Sequence, residues 1–183
     1  MKVNIISIYG TWREIANSAR TTIGLDGTNG KVSESWKKRM LLCEHSPTRK
    51  LKVSWKWTDL PYWISTHFVR HKFGIEHFVS TQRTDRTGID RNELPQGSLV
   101  MHEAEANAQT IINISRRRLC TSSSVETRNA WRSFLDELKK EEPELVSVCV
   151  PDCIYRGHCY EYQTCGFSQT PEYKKQLEDY RRI

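Results

Sequence analysis

The chain has 183 residues, of which 37% are hydrophobic and 27% are charged. This length suits one globular domain, and we expect a single domain over residues 1–183. The 28 Lys and Arg residues exceed the 22 Asp and Glu residues, so the net charge of +6 favours anionic partners such as nucleotides, nucleic acid or phosphorylated cofactors. No apolar run approaches the ~20 residues of a membrane span, and the first residues lack a secretory signal, so we expect a cytoplasmic protein without membrane contact.

The first half of the chain predicts two strands and three helices. β-branched residues between Val3 and Tyr9 indicate an opening strand. The ranges 12–23 and 33–43 are typical of short helices, the second capped by its first serine. Apolar and polar side chains alternate from residue 51 to residue 57, which predicts a strand with one buried face. Pro61 then suits the first turn of a helix that continues toward Gly74.

The next segments are predicted to be extended, then irregular, then helical. Residues 75–83 favour an extended conformation, and the polar, charged stretch 84–96 favours a loop. The range 98–119 predicts one long helix, because its apolar residues can be placed on one side. These are Val100, Ala104, Ala108, Ile111 and Ile112.

A capping box predicts the start of a further helix. Ser123 is followed three residues later by Glu126, and the apolar stripe after it should end near Pro143. The tail from Gly166 onward is polar and compatible with a helix. Strands and helices are mixed without a βαβ rhythm, so the predicted fold class is α+β.

Three segments concentrate basic and hydrogen-bonding side chains. They are residues 70–83, residues 90–95 and residues 107–118. Charges interleaved with apolar residues must lie beside buried surface, where an unpaired guanidinium is costly, so a bound anion is one interpretation. The other interpretation is structural. Residues 70–83 then form an exposed basic face with a partly buried His71, and the asparagines of 107–118 form hydrogen bonds between helices. The arginines at the end of that segment lie in a solvated last helical turn, where their charge suits the helix dipole.

Taken together, these segments resemble the flavin-dependent thymidylate synthases. That family carries an R-H-R signature with a later serine, an arginine before L-P, an N-A segment twelve residues on, a second asparagine, and a substrate arginine five residues after it. The matching positions, within a similarity that extends from about Ser46 to Trp131, are Arg70-His71-Lys72, Ser80, Arg91, Leu94-Pro95, Asn107-Ala108, Asn113, Arg118 and Glu126.

The chain also departs from the family pattern. Lys72 replaces the second arginine, the usual asparagine-glutamate pair is missing, and Arg83 comes one place late. His67 stands where a glutamine is usual. The segment between Arg83 and Arg91 is short, so a helical hairpin should be absent. These features indicate a compact, divergent, phage-like branch, located in the host cytoplasm if it is phage-encoded.

The resemblance implies a fold, a reaction and an assembly. The fold is a mainly antiparallel sheet flanked by helices. The reaction is reductive methylation of dUMP to dTMP, with FAD as cofactor and with NADPH and methylenetetrahydrofolate, a folate, as co-substrates. The assembly is a homotetramer whose copies share active sites. The family needs no cysteine nucleophile.

The resemblance also implies roles for individual residues. Arg118 is the catalytic residue, because a fixed cation at the uracil edge can stabilise negative charge developing on the pyrimidine. The substrate-binding residues are Arg70, Ser80, Arg83, Arg91, Arg118 and His67, with the phosphate on Arg83 and Arg91. The FAD-binding residues are Arg70, His71, Lys72, Asn107 and Asn113. No metal site is assigned.

The six cysteines have a structural interpretation. Cys43 and Cys120 are predicted to be small buried apolar residues. The C-terminal cysteines are predicted to be free thiols, with a structural metal as the alternative because His158 is nearby. These are Cys149, Cys153, Cys159 and Cys165.

Two other functions remain open from the sequence. One is flavin-dependent one-carbon transfer to another pyrimidine nucleotide. The other is a non-catalytic, basic nucleic-acid-binding domain that places the same arginines on phosphates and stacks bases on Trp55 or Trp57.

Overall fold

A four-stranded antiparallel sheet forms the centre of the protein, in a computed structural model that describes residues 1–183. In chain order the strands are β1 (Lys2–Tyr9), β2 (Lys52–Pro61), β3 (Ile75–Val79) and β4 (Leu99–Asn107). Their order across the sheet is β1-β2-β4-β3, and every neighbouring pair is antiparallel. The predicted strands near residues 3, 51 and 75 are therefore confirmed, and β4 is additional.

Nine helices accompany the sheet, so the predicted α+β class with an antiparallel sheet is confirmed. Short 3₁₀ turns cover Ser46–Lys50 and Phe167–Gln169. The helices are α1 (Trp12–Thr21), α2 (Glu34–Leu42), α3 (Tyr62–Phe68), α4 (Thr84–Thr87), α5 (Ala108–Arg118), α6 (Val125–Leu138), α7 (Pro143–Ser147), α8 (Asp152–Arg156) and α9 (Pro171–Arg181). None of them is long and apolar enough to cross a membrane.

The core is an aromatic cluster between β2, α3 and α6. Trp55 and Trp57 lie on the buried face of β2 and are fully buried. Trp55 stacks on Phe134 with ring centroids 4.2 Å apart, and Trp57 stacks on Phe68 at 4.7 Å. The indole N–H of Trp57 donates to the Ala130 carbonyl at 3.1 Å. Neither tryptophan can stack on a nucleic-acid base, so this part of the nucleic-acid hypothesis is wrong.

The prediction of one helix over residues 98–119 is wrong in its first half, which is strand β4. Burial alternates along β4 with a period of two, because its even-numbered residues face the core. Val100 and Ala104 both lie on that face. A spacing of four residues is common to one helix face and one strand face, so this pair could not distinguish them. Helix α5 begins where the strand ends, at Asn107.

Several predicted helix boundaries differ by a few residues. The side chain of Ser33 caps α2 as predicted. Helix α6 is capped by Ser124 and not by Ser123, since the Ser124 hydroxyl accepts from the Thr127 amide at 3.3 Å. Helix α6 also ends earlier than predicted, at Leu138, and the polar loop after residue 83 contains the short helix α4. The helix-compatible tail forms α9.

Candidate active site

Arg118 lies at the C-terminal end of α5, with its guanidinium held by two acceptors. Its Nε donates to Nε2 of His71 at 2.9 Å, and its Nη2 donates to the carbonyl oxygen of His67. Both partners lie at the end of α3 or just after it. Arg118 belongs to none of the ion pairs in the structure. A half-buried cation is therefore fixed in place without a carboxylate to neutralise it.

The surroundings of Arg118 are electropositive. Burial and the nearby charge of Arg70 lower the pKa of the Arg118 guanidinium. Burial, Arg118 and Arg70 likewise lower the pKa of His67, whose Nδ1 lies 2.9 Å from the Thr127 hydroxyl. Neighbouring cations disfavour each other's charged form, and an anion bound between them stabilises that form. The cluster is suited to an anionic or electron-rich ligand.

Three neighbouring histidines have tautomers that follow from their hydrogen bonds. His77 Nε2 lies 3.0 Å from the His71 carbonyl oxygen, so this nitrogen must donate. The Nδ1 of neutral His77 therefore accepts a hydrogen bond from Nε2 of His102, 2.9 Å away. His71 Nε2 accepts from Arg118, so the proton of neutral His71 is on Nδ1. Burial, Arg118 and His77 lower the pKa of His71 to about 4. His71 is therefore neutral near pH 7.

A separate cavity of about 490 Å³ brings together three of the predicted substrate-binding residues, Ser80, Arg83 and Arg91. Ser80 follows β3, and its Oγ accepts from the Met101 amide at 3.1 Å, which leaves its own O–H free to donate. Arg83 forms a two-point contact with Asp85, whereas the exposed Arg91 side chain has no ion-pair partner. No side-chain hydrogen bond connects this cavity to Arg118.

The signature residues Arg70 and Lys72 lie in the turn between α3 and β3. Both side chains are exposed, and neither has a carboxylate partner. The charge of Arg70 affects the pKa of Arg118, so the two guanidinium groups are neighbours. The turn therefore presents two free cations beside the Arg118 cluster.

The two asparagines of α5 have different environments. Asn107 caps the helix, because its Oδ1 accepts from the Thr110 amide at 3.0 Å. Asn113 is exposed, and its Oδ1 accepts from Gln109 at 3.3 Å and from Arg116 at 3.1 Å. Asn107 therefore has a capping role within α5, and Asn113 is at the surface.

The structure thus groups the predicted residues into three sets. The Arg118 cluster contains His67, Arg70 and His71; the cavity contains Ser80, Arg83 and Arg91; and Asn113 lies apart on α5. The sequence reasoning missed His77 and His102, which support His71. Their signal was present: both are histidines in segments of alternating burial, and His102 falls on the buried face of β4.

The cysteines correct one prediction. Cys43 is exposed and Cys120 is half-buried, so neither is the small buried residue that was expected. All six are free thiols in the structure. No three His, Cys, Asp or Glu side chains are positioned to hold a metal ion as the chain stands.

Comparison with known proteins gives a local sequence match and an extensive structural match. No protein-family model matches the chain. A segment of 61 residues is 39% identical to the flavin-dependent thymidylate synthase of Clostridium tetani (strain Massachusetts / E88). This segment makes up 33% of this chain and 24% of that protein. The match therefore spans about a quarter of that relative.

The structural matches cover most of the chain. Thymidylate Synthase X (ThyX) from Helicobacter pylori, solved with FAD and dUMP, gives a TM-score of 0.67 at 12% identity, covering 82% of this chain and 99% of that one. The UMP/dUMP methylase PolB from Streptomyces cacaoi, solved with 5-Br dUMP, gives 0.64 at 12% identity, covering 80% and 93%. The chain thus has the fold of the flavin-dependent thymidylate synthases and local sequence similarity to them, which confirms the resemblance.

Proposed function

We propose that the chain catalyses reductive methylation of dUMP to dTMP, with FAD as cofactor and with NADPH and methylenetetrahydrofolate as co-substrates. The observation that carries this proposal is the half-buried Arg118, which lacks a carboxylate and is held by His71 and His67. The resemblance places a substrate arginine at this position. The relatives that share the fold include a protein solved with FAD and dUMP.

Arg118 is prepared to contact the pyrimidine. A guanidinium has five N–H donors, and Arg118 uses two of them on His71 and His67. The other three remain for a ligand. Because the group is already oriented, it can stabilise negative charge on a pyrimidine carbonyl without reorganising during the reaction. Neutral His71 contributes by accepting from Arg118; a protonated ring would lose this acceptor and repel the guanidinium.

The nucleotide phosphate is assigned to the cavity of Ser80, Arg83 and Arg91. Arg91 supports this assignment most directly, because it lines the cavity and has no ion-pair partner. The Ser80 hydroxyl supplies a neutral donor. Arg83 must exchange its contact with Asp85 for the phosphate or share it, so we expect its contribution to be smaller than that of Arg91.

The residues assigned to FAD fit an anionic, planar cofactor. Arg70 and Lys72 are exposed cations without carboxylate partners, which suits the FAD diphosphate. Nδ1 of His71 carries a proton that can be donated, and the Asn113 amide is accessible from solvent. When bound, the flavin supplies the redox chemistry, and the protein supplies binding and orientation.

We propose a homotetramer with shared active sites, and the separation of these sets supports it. The cavity that contains Arg91 contains neither Arg118 nor Asn113. Exposed aromatic residues adjoin the site: Phe73 is 92% exposed and Phe78 is 61% exposed. Contact with a second copy would cover such side chains and complete the ligand-binding surface.

A second candidate is methyl transfer to another pyrimidine nucleotide. The fold is shared with a UMP/dUMP methylase, and Lys72 and His67 differ from the family signature. A change in these residues would alter the contacts that distinguish one nucleotide from another. The proposed chemistry at Arg118 is the same for both substrates.

The test is nucleotide methylation by the purified protein with FAD, NADPH and methylenetetrahydrofolate. Chromatography measures dTMP formed from dUMP and 5-methyl-UMP formed from UMP. We expect a flavin absorbance spectrum and turnover of dUMP. Arg118→Ala should lower turnover by ~10² or more. Arg13→Ala is the matched control, because Arg13 is an exposed arginine on α1 without an ion pair. Turnover of UMP alone would select the second candidate; a colourless protein without nucleotide binding would exclude both.

A further inference from the structure

A second cavity, which shares no lining residue with the cavity of Ser80, Arg83 and Arg91, is lined by most of the cysteines of the chain. Its volume is about 330 Å³, and it lies between the loop after α5, helix α8 and the segment that leads to α9. Only Cys43 lies elsewhere. The cysteines on its wall are Cys120, Cys149, Cys153, Cys159 and Cys165. They come from three separate parts of the chain and meet here only because of the fold.

Cys149 differs from the other four. It is buried in the hydrophobic core cluster, and its thiol donates to the Leu145 carbonyl at 3.3 Å. Burial raises its pKa to about 12. Cys149 therefore has a structural role, and four partly accessible thiols remain around the cavity.

These four thiols are close to one another. Cys153 interacts electrostatically with both Cys120 and Cys159, which, together with burial as the larger cause, raises its pKa to about 11. Cys165 is within hydrogen-bond reach of Thr121, the residue after Cys120. Neighbouring thiolates repel each other in the absence of a cation, and a divalent cation reverses this repulsion.

The segment between α8 and the 3₁₀ turn at Phe167 has little else to hold it. Residues 157–166 contain no helix or strand, and Tyr160 and Tyr162 are exposed. Its contacts include an ion pair between Arg117 and Glu161 at 3.3 Å, an exposed type of contact that stabilises little. Short segments without a core of their own commonly depend on a disulfide or a metal.

We propose that Cys120, Cys153, Cys159 and Cys165 bind one Zn²⁺ ion as a structural tetrathiolate site. Zinc prefers four tetrahedral ligands of this type in structural sites. No three of these side chains are in ligating positions as the chain stands, so binding requires the four thiols to move toward one another. Each cysteine turns about one torsion with three staggered positions, and Cys159 and Cys165 lie on the segment without regular structure, where the backbone can adjust. Binding displaces the thiol protons.

The test is the zinc content of the full chain, purified under reducing conditions and measured by inductively coupled plasma mass spectrometry. We expect about one zinc per chain. Cys159→Ser should lower this content at least about fivefold, because a structural site needs all four ligands. The matched controls are Cys43→Ser, a cysteine outside the cavity, and Cys149→Ala, the cysteine with the core role; both should keep the metal.

A second measurement on the unmodified chain keeps the proposal testable if Cys159→Ser does not fold. After removal of zinc by a chelator and addition of Co²⁺, the protein should show thiolate-to-cobalt charge-transfer absorption, and four additional thiols should react with a thiol reagent in the metal-free form. The proposal is wrong if the reduced chain takes up neither zinc nor cobalt, if peptide mapping finds these cysteines in disulfides, or if Cys43→Ser removes the metal as completely as Cys159→Ser does.

Discussion

The buried histidine pair makes the protein sensitive to acid, and His102→Gln tests this. His102 is fully buried, with its ring 5.4 Å from that of Trp57 and 6.2 Å from that of Phe68. Burial and the neighbouring His77 lower the pKa of His102 to about 4. Glutamine removes the titrating ring but keeps an N–H that can donate to His77, as His102 Nε2 does now at 2.9 Å.

The size of the effect follows from proton linkage. The pKa of an unfolded histidine is about 6.5, and that of folded His102 is about 4. Between these values the unfolded chain binds a proton that the folded chain does not, so the free energy of unfolding decreases as the pH falls from about 6.5 toward 4. At about pH 4.5 this contribution reaches roughly 2.5 kcal/mol, from about 1.36 kcal/mol per pH unit over two units. It is absent above about pH 6.5.

The assay is urea denaturation, followed by tryptophan fluorescence at several pH values between about 7 and 4.5. The free energy of unfolding of His102→Gln should decrease by about 2.5 kcal/mol less than that of the wild type over this range. Parallel curves for His102→Gln and the wild type would show that His102 does not titrate with a lowered pKa.

Three further outcomes are expected. Arg118→Ala should lower kcat by ~10² or more in steady-state kinetics. Arg91→Ala should chiefly raise the KM for dUMP in the same assay, because a phosphate contact is made equally in the ground and transition states. Gly74→Ala should destabilise the fold by about 1–3 kcal/mol in thermal unfolding, since its φ is +71° and the new Cβ would lie 2.4 Å from Thr110 Oγ1. Asn113→Leu should lose bound flavin, measured by absorbance, while circular dichroism stays unchanged because Asn113 is exposed.

The sequence predicted most elements of the fold because their patterns were local. Alternation identified β2, and serine and proline signals located α2 and α3. It failed at β4 because the C-terminal end of this strand gave no turn signal: Asn107 ends the strand and caps α5 at once. A strand that continues directly into a helix offers only its period as evidence, and the small residues Ala104 and Ala106 fit either period.

The residues proposed for the site came from the sequence, whereas their geometry required the structure. The spacing of Arg70, Arg91 and Arg118 was visible in the sequence, and the resemblance assigned them. That His71 would accept from Arg118 required the fold, since 47 residues separate them. The histidine chain was missed for the same reason: His77 and His102 meet only because β3 and β4 are paired.

Helical geometry explains why Arg118 and Asn113 serve different surfaces of one chain. Each residue of an α-helix turns by about 100°, so Arg118, eleven residues after Asn107, returns to nearly the same face of α5. That face meets the turn after α3, where Asn107 lies against Gly74 and Arg118 contacts His71. Asn113, six residues after Asn107, is rotated by about 240° and faces the side of Arg116. One α5 therefore presents the two side chains to different surfaces, which is consistent with the proposed sharing of the site between copies of the chain.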